Sequence, residues 1–326
     1  MVLLSGLDGS KAICWHPTPP FDQSCPVALL QRNANRMVLV WAALLAWLTL
    51  PLTTGPVLAA ALDDRSGPVQ LTASIGLWAG WAAGLLAHLL PSAWSLTGMR
   101  TLAPFAVLST GLAAVAGGAS PAAVVVGLSA SAATSALAFT GEVGHRQLQA
   151  SAYGDEQRFA LRPPGALALG PLQVMWLVFA VPALAGPLTL AARNWIVGIA
   201  STAFAAWFGW LLVRRLHQLS GRWLVFVPAG VVVHDPVLLA ETAMYQRPSI
   251  ASCGLALAGT EAADLTGGAP GPAVEFRLAT EGDKVVLAPT PQRPEGVALH
   301  VRSFLVSPTR PGAALESARQ RGYPGF

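Results

Sequence analysis

Charge is the first thing this chain lacks. Asp, Glu, Lys and Arg together make up 11% of its 326 residues, against roughly a quarter in soluble domains. Lysine occurs only at Lys11 and Lys284, so arginine carries nearly all the positive charge. A net charge of +4 raises nucleic acid as a partner, but the cations sit at the ends of apolar segments, where they set topology. From Leu219 onward basic and acidic residues balance, which is no footprint for a phosphate backbone. Cysteine is scarce as well. Cys14 and Cys25 flank His16 near the N-terminus and Cys253 stands alone. That spacing does not supply the four ligands of a zinc site, and a cytoplasmic tail disfavours a disulfide. No metal or cofactor is expected. A phosphate loop is missing too, because Gly267-Gly268-Ala269-Pro270-Gly271-Pro272 is followed by no Gly-Lys-Ser/Thr and no helix start. It reads as a flexible connection between strands.

What the chain has is apolar length. Residues 1–36 are polar, carry Pro17, Pro19, Pro20 and Pro26, and read as a disordered cytoplasmic tail. Six apolar segments of membrane-spanning length follow, at about 37–62, 71–90, 101–118, 121–140, 167–191 and 195–213. Trp41, Trp47, Trp94, Trp176, Trp195 and Trp210 gather toward segment ends, as an interfacial belt would place them. With the N-terminus inside, the inner stretches hold Lys11, Arg32, Arg36, Arg100, Arg146, Arg158, Arg162, Arg214, Arg215 and Arg222. The outer loops hold only Arg65 and Arg193. The positive-inside rule then puts both termini in the cytoplasm of a plasma-membrane protein. A cleaved leader ending at Ala59-Ala60-Ala61 competes for the first segment, but its long polar lead and spanning length weigh against cleavage. Gly127, Ser131 and Ser135 form a row of small residues that predicts close helix packing.

Past Leu219 the pattern shortens and alternates. WLVFVPAGVVVHD reads as two strands around Pro228-Ala229-Gly230, and YQRPSIASCGLALA as a third, broken near Pro248. AVEFRLA puts Val274, Phe276 and Leu278 on one face and Glu275 and Arg277 on the other. The turn Thr280-Glu281-Gly282-Asp283 leads to KVVLA, GVALHVRSFLV is a further strand, and about 311–321 is helical with Ala314, Leu315 and Ala318 as its apolar side. The expected fold is thus an α-helical membrane bundle of about six transmembrane helices, spanning 37–218, plus a small antiparallel β-rich cytoplasmic domain, 219–326, with a C-terminal helix.

Five or six strands followed by one helix, directly after a transmembrane segment ending in Arg214 and Arg215, resemble the pleckstrin-homology-like domains of bacterial membrane proteins. This implies a split barrel capped by a helix, with a plain antiparallel sheet as the alternative. The basic pocket that binds phosphoinositides in some of those domains is not evident. Two further stretches stand out, Tyr153–Gly165, YGDEQRFALRPPG, and Arg222–Glu241, RWLVFVPAGVVVHDPVLLAE. Through them the chain, over about residues 35–325, resembles a family of multi-pass integral membrane proteins of actinobacteria, mycobacteria among them. The resemblance brings no functional residues with it.

The most polar piece attached to the bundle is the loop 142–162, with Glu142, His145, Arg146, Tyr153, Asp155, Glu156, Arg158 and Arg162. Carboxylates beside a histidine suit acid–base work. They equally suit pairing with the local arginines, which would dock the loop on the C-terminal domain. His145, Tyr153, Asp155, Glu156, Arg158 and Arg162 are the candidate binding residues, and no catalytic set is assigned. His234-Asp235-Pro236 reads as a strand end and turn. His88 is the one ionisable residue well inside a segment, and it is not near a midplane, which counts against ion coupling. The expected role is a membrane anchor for a β-domain that recruits or regulates a protein partner at the cytoplasmic face, in envelope biogenesis. The alternatives are a transporter or channel subunit and a membrane enzyme acting on a lipid.

Overall fold

The computed structural model describes residues 26–280, 283–287 and 297–325. Cys14, Cys25 and Lys11 lie outside them, as do Glu281 and Gly282 of the Thr280–Asp283 turn.

Six helices are long and apolar enough to cross a membrane. α1 is Pro26–Leu62, α2 Gly67–Leu89, α3 Ala93–Ala116 and α4 Pro121–Ala138. A short helix follows, α5 (Gly141–Gln149), then a strand, β1 (Gln157–Ala160), and a single turn, α6 (Gly165–Ala168). α7 is Pro171–Ala191 and α8 is Trp195–Ser220. Prolines stand in the first turns of α2, α4 and α7, where the missing N–H would have no partner anyway.

The helix ends correct the sequence reading. Residues 26–36, expected as disordered tail, are already helical. α3 starts at Ala93 rather than near 101, because the Ser92 hydroxyl accepts from the Ser95 N–H at 3.0 Å and caps it. α8 runs on past 213 to Ser220. Hydropathy finds the lipid-length core of a helix and stops at Arg100 or Arg214, whereas the backbone ladder continues through a charge. α3 and α8 therefore both project beyond the apolar block, at the end of the bundle that carries the β-domain, termed here the proximal end.

The bundle is joined by shape. The Trp47 and Trp81 indoles donate to each other's carbonyls, at 2.9 and 3.1 Å, tying α1 to α2. Gly84 lies under Trp47, where a Cβ would come within 1.9 Å of the ring. The small-residue row of α4 is Gly127, Ser131, Thr134 and Ala138; Ser135, expected in it, is only half-buried. α7 and α8 meet at Gly186, Gly198 and Gly209, each in near contact with a side chain opposite. Close fit of this kind is what holds apolar helices together where lipid would remove the hydrophobic drive between them.

The β-domain holds β2 (Trp223–Val227), β3 (Gly230–His234), β4 (Ala243–Gln246), β5 (Ile250–Leu255), β6 (Ala263–Asp264), β7 (Val274–Leu278), β8 (Asp283–Leu287), β9 (Val297–Val301), β10 (Ser303–Val306) and the helix α9 (Pro311–Gln320). One sheet has the order β1-β2-β3-β4 and another β5-β7-β10-β6, with β8 and β9 as a separate hairpin. Pairing is antiparallel except for β6 beside β10, which is parallel. GVALHVRSFLV, expected as one strand, divides at Arg302, where the chain leaves β8 and joins β7. Gly230 is demanded by β4, because a Cβ would meet the Tyr245 carbonyl oxygen at 2.0 Å. Glu275, expected on the open face, is 5% exposed: Arg277 Nε donates to it at 2.8 Å and Thr260 Oγ1 at 3.2 Å. Phe226, Tyr245, Phe276, Phe304 and Tyr323 fill the core with Ala314 and Ala318 of α9. Cys253 is buried among them, and burial pushes its thiol up to about 12.

Candidate functional site

The loop 142–162 is a joint. It folds as α5 and β1, and three consecutive residues of α5 reach two ways. Arg146 Nη1 donates to the His88 carbonyl at 3.2 Å, at the C-terminal end of α2. Gln147, 1% exposed, accepts from the Ser92 N–H at 2.9 Å and donates to the Ala87 carbonyl at 3.1 Å. Its amide nitrogen also lies 3.2 Å from Met99 Sδ. These bonds satisfy carbonyls that the end of α2 leaves open and an amide of the α2–α3 turn. His145 turns the other way. Its Nδ1 is 3.1 Å from the Arg158 carbonyl, and its ring stacks on Phe159 at 5.6 Å.

β1 is built into the β-domain. It pairs with β2 from Gln157 opposite Phe226 to Ala160 opposite Trp223. Its far end turns to residues 307–309: Thr309 N–H donates to Ala160 O and Arg162 N–H to Ser307 O, both at 2.8 Å. Phe159 and Leu161 are 4% exposed and belong to the same core as Phe226 and Phe276. The sheet thus takes its edge strand from between two bundle helices, beyond the 219–326 boundary read from the sequence.

An ion pair closes the joint. Arg222, between α8 and β2, forks onto Asp235 at 2.8 and 2.7 Å, with both side chains essentially unexposed. Asp235 also accepts from the Val237 and Leu238 N–H groups at 3.1 Å, and Arg222 donates to the Arg162 carbonyl. Asp235 thus accepts four hydrogen bonds and all three Arg222 nitrogens are engaged, which marks a buried structural pair.

The six sequence candidates do not converge. His145 faces the β1 backbone. Arg158 lies over the Trp223 ring at 5.3 Å and pairs with Glu156 at 2.9 Å. That hydrogen bond, with the Tyr153 N–H behind it, holds the Glu156 carboxyl below its ordinary range. Asp155 is exposed and its carbonyl accepts from Arg321, while Tyr153 is 87% exposed. Arg162 belongs elsewhere. Its guanidinium donates to the Pro270 and Pro272 carbonyls, and Gly271, at φ +95°, leaves it room. The glycine-rich stretch, expected as a flexible connection, is therefore clamped by Arg162.

One concavity adjoins the loop. About 490 Å³ in volume, it is lined by Gln149, Gly154, Asp155, Glu156, Gln157, Pro228, Gln320 and Arg321. It is open and polar, and it gathers carboxylate, amide and guanidinium without an enclosed nucleophile. This suits a protein surface better than a reaction centre. A second concavity of about 410 Å³ lies by Glu261, His300 and Arg302.

Sequence reasoning missed Gln147 and Arg222. Gln147 sits on a helix whose buried face shows only Val143 and Leu148 as large apolar residues, too few to register as a period. Arg222 was read as a topogenic charge. Compared with known protein families, curated proteins and solved structures, the chain gives no match.

Proposed function

We propose that the chain is a multi-pass membrane protein whose bundle holds the β-domain against the cytoplasmic face, where that domain recruits or regulates a protein partner. The observation that carries this reading is the shared strand. A sheet whose edge strand and two core residues come from the bundle's own loop is held in fixed orientation at the membrane rather than tethered. Fixed orientation suits presentation of a surface to a partner. The six apolar helices and the arginine asymmetry support the membrane placement and the inward termini. The glycine-tight contacts between α1 and α2 and between α7 and α8 favour an anchor over a transport path. The β-domain's resemblance to pleckstrin-homology-like folds, the actinobacterial kinship and a place in envelope biogenesis belong to this proposal.

The presenting surface is the concavity beside Tyr153. Its test is photo-crosslinking in the native membrane, with a photoreactive residue at Tyr153 and another at exposed Leu257 as control. One defined protein captured from position 153 and not from 257 supports recruitment. Equal capture from both positions, or none from 153, counts against it and turns attention to lipid turnover.

A further inference from the structure

The joint leaves one cation over. Arg100 lies on α3 where the helix projects past the apolar block, and its Nε is enclosed by protein without a hydrogen-bond acceptor. Among the described residues no carboxylate or carbonyl takes a hydrogen bond from its guanidinium. The group lies over the Phe139 ring, 5.7 Å from the centroid. It rests on Gly144 of α5, where a Cβ would come within 3.1 Å of Nη2. The acid of α5, Glu142, faces Arg310 at 3.8 Å instead. An enclosed Nε with no acceptor is costly, and the planar fork it belongs to fits a phosphate in two-point contact.

The level of Arg100 says where that phosphate comes from. α3 and α8 run antiparallel, and Thr97 Oγ1 meets His217 Nδ1 at 3.2 Å, so Arg100 is level with Arg214. Arg214 lies over the Trp210 ring at 4.2 Å. One residue past Arg100, the Thr101 carbonyl accepts from the Trp176 indole at 3.0 Å. Phe139 is 54% exposed at the end of α4. Indole rings and arginines at one height mark the headgroup layer of a bilayer.

We infer that Arg100, floored by Gly144 and flanked by Phe139, binds the phosphodiester of an anionic phospholipid headgroup. The phosphate takes the guanidinium fork, and an acyl chain runs along Phe139 beside α4. A net negative headgroup is preferred because no carboxylate neutralises Arg100, whereas a zwitterionic lipid brings its own ammonium. The inference rests on the membrane placement proposed above.

The test reconstitutes the full chain in nanodiscs of mixed phosphatidylglycerol and phosphatidylcholine, re-extracts it in neutral detergent, and measures the retained phospholipids. Arg100→Gln is expected to lower the phosphatidylglycerol-to-phosphatidylcholine ratio about fivefold, the worth of one basic side chain near an anionic surface. Arg100→Lys should fall between, keeping charge and losing the fork. An unchanged ratio in a folded Arg100→Gln protein overturns the lipid site and leaves the membrane placement standing. A chain that enters no nanodisc overturns both. Inorganic phosphate that displaces the retained phosphatidylglycerol at equal concentration overturns the lipid source. Should Arg100→Gln fail to fold, photoreactive phosphatidylglycerol on the unmodified protein decides: label within 96–104 or 139–146 supports the site, and label confined elsewhere refutes it.

Discussion

The bundle and the β-domain solve the same packing problem with opposite materials. The bundle turns many large apolar side chains outward, with Val115 88% and Ile196 85% exposed, and its inner contacts set glycine, serine, threonine and alanine beside a few large residues such as Trp47 and Met99. The β-domain does the reverse, enclosing Phe226, Phe276 and Phe304 completely. Water drives the second arrangement. For helices of membrane-spanning length and apolarity, such as these six, a bilayer would supply no such drive, and close fit plus hydrogen bonds would serve. Where the two meet, neither rule holds alone. The joint is polar and buried, made of Gln147, Arg222 and Asp235, with the aromatic Phe159 carried across from one region into the other.

That contrast breaks most sharply at the ion pair. Asp235→Ala strands Arg222 in a dry site, and a loss of about 3–5 kcal/mol is expected, read as a drop in the melting temperature of the purified chain. Phe159→Ala follows at roughly 3 kcal/mol, the low end for a core aromatic because β1 is an edge strand. Its informative feature is location. The residue belongs by sequence to a bundle loop, yet limited proteolysis should show the β-domain opening while the helices persist. Gln147→Ala is the converse. Removing a fully bonded amide costs about 1–3 kcal/mol, and new cleavage is expected near Ser92, at the proximal turn of the bundle.

Acid should separate the regions further. His234 is half-buried against Trp223, and burial lowers its pKa from the ordinary 6.5, with Asp235 pulling it up and Arg158 pushing it down. A lowered folded-state value means the unfolded chain takes the proton first. Stability is therefore complete above pH 6.5 and falls as pH drops below that value. Melting the chain at about pH 7.5 and 5.5 should show this loss, and His234→Asn should flatten the slope. The smallest effect is reserved for Glu156→Gln. The Glu156–Arg158 pair is exposed enough for solvent to screen, so the change stays within about 1 kcal/mol.

These predictions fall unevenly on what the sequence shows. The six apolar segments are legible because membrane-spanning length is written residue by residue. The strand runs of β2, β3 and β7 are legible from short apolar or alternating stretches bounded by turn residues. The joint is not legible. β1 reads as QRFA, with one large apolar residue and Arg158 directly before it, and only its partner β2 makes it a strand. α5 buries glycine and glutamine, which carry no hydrophobic period. Arg100 and Arg222 read alike as topogenic charges. Structure separates them into a cation without an acceptor and a cation with each of its three nitrogens hydrogen-bonded.

The account's central claim is that β1 is a strand of the β-domain, and amide hydrogen exchange on the full chain in nanodiscs tests it most directly. The account predicts that the Phe159 and Leu161 amides, bonded to β2 and to the Arg222 carbonyl, exchange as slowly as those of β2 and are released together with them. Exchange of 157–161 at the rate of an open loop, while β2 and β3 stay protected, would contradict it.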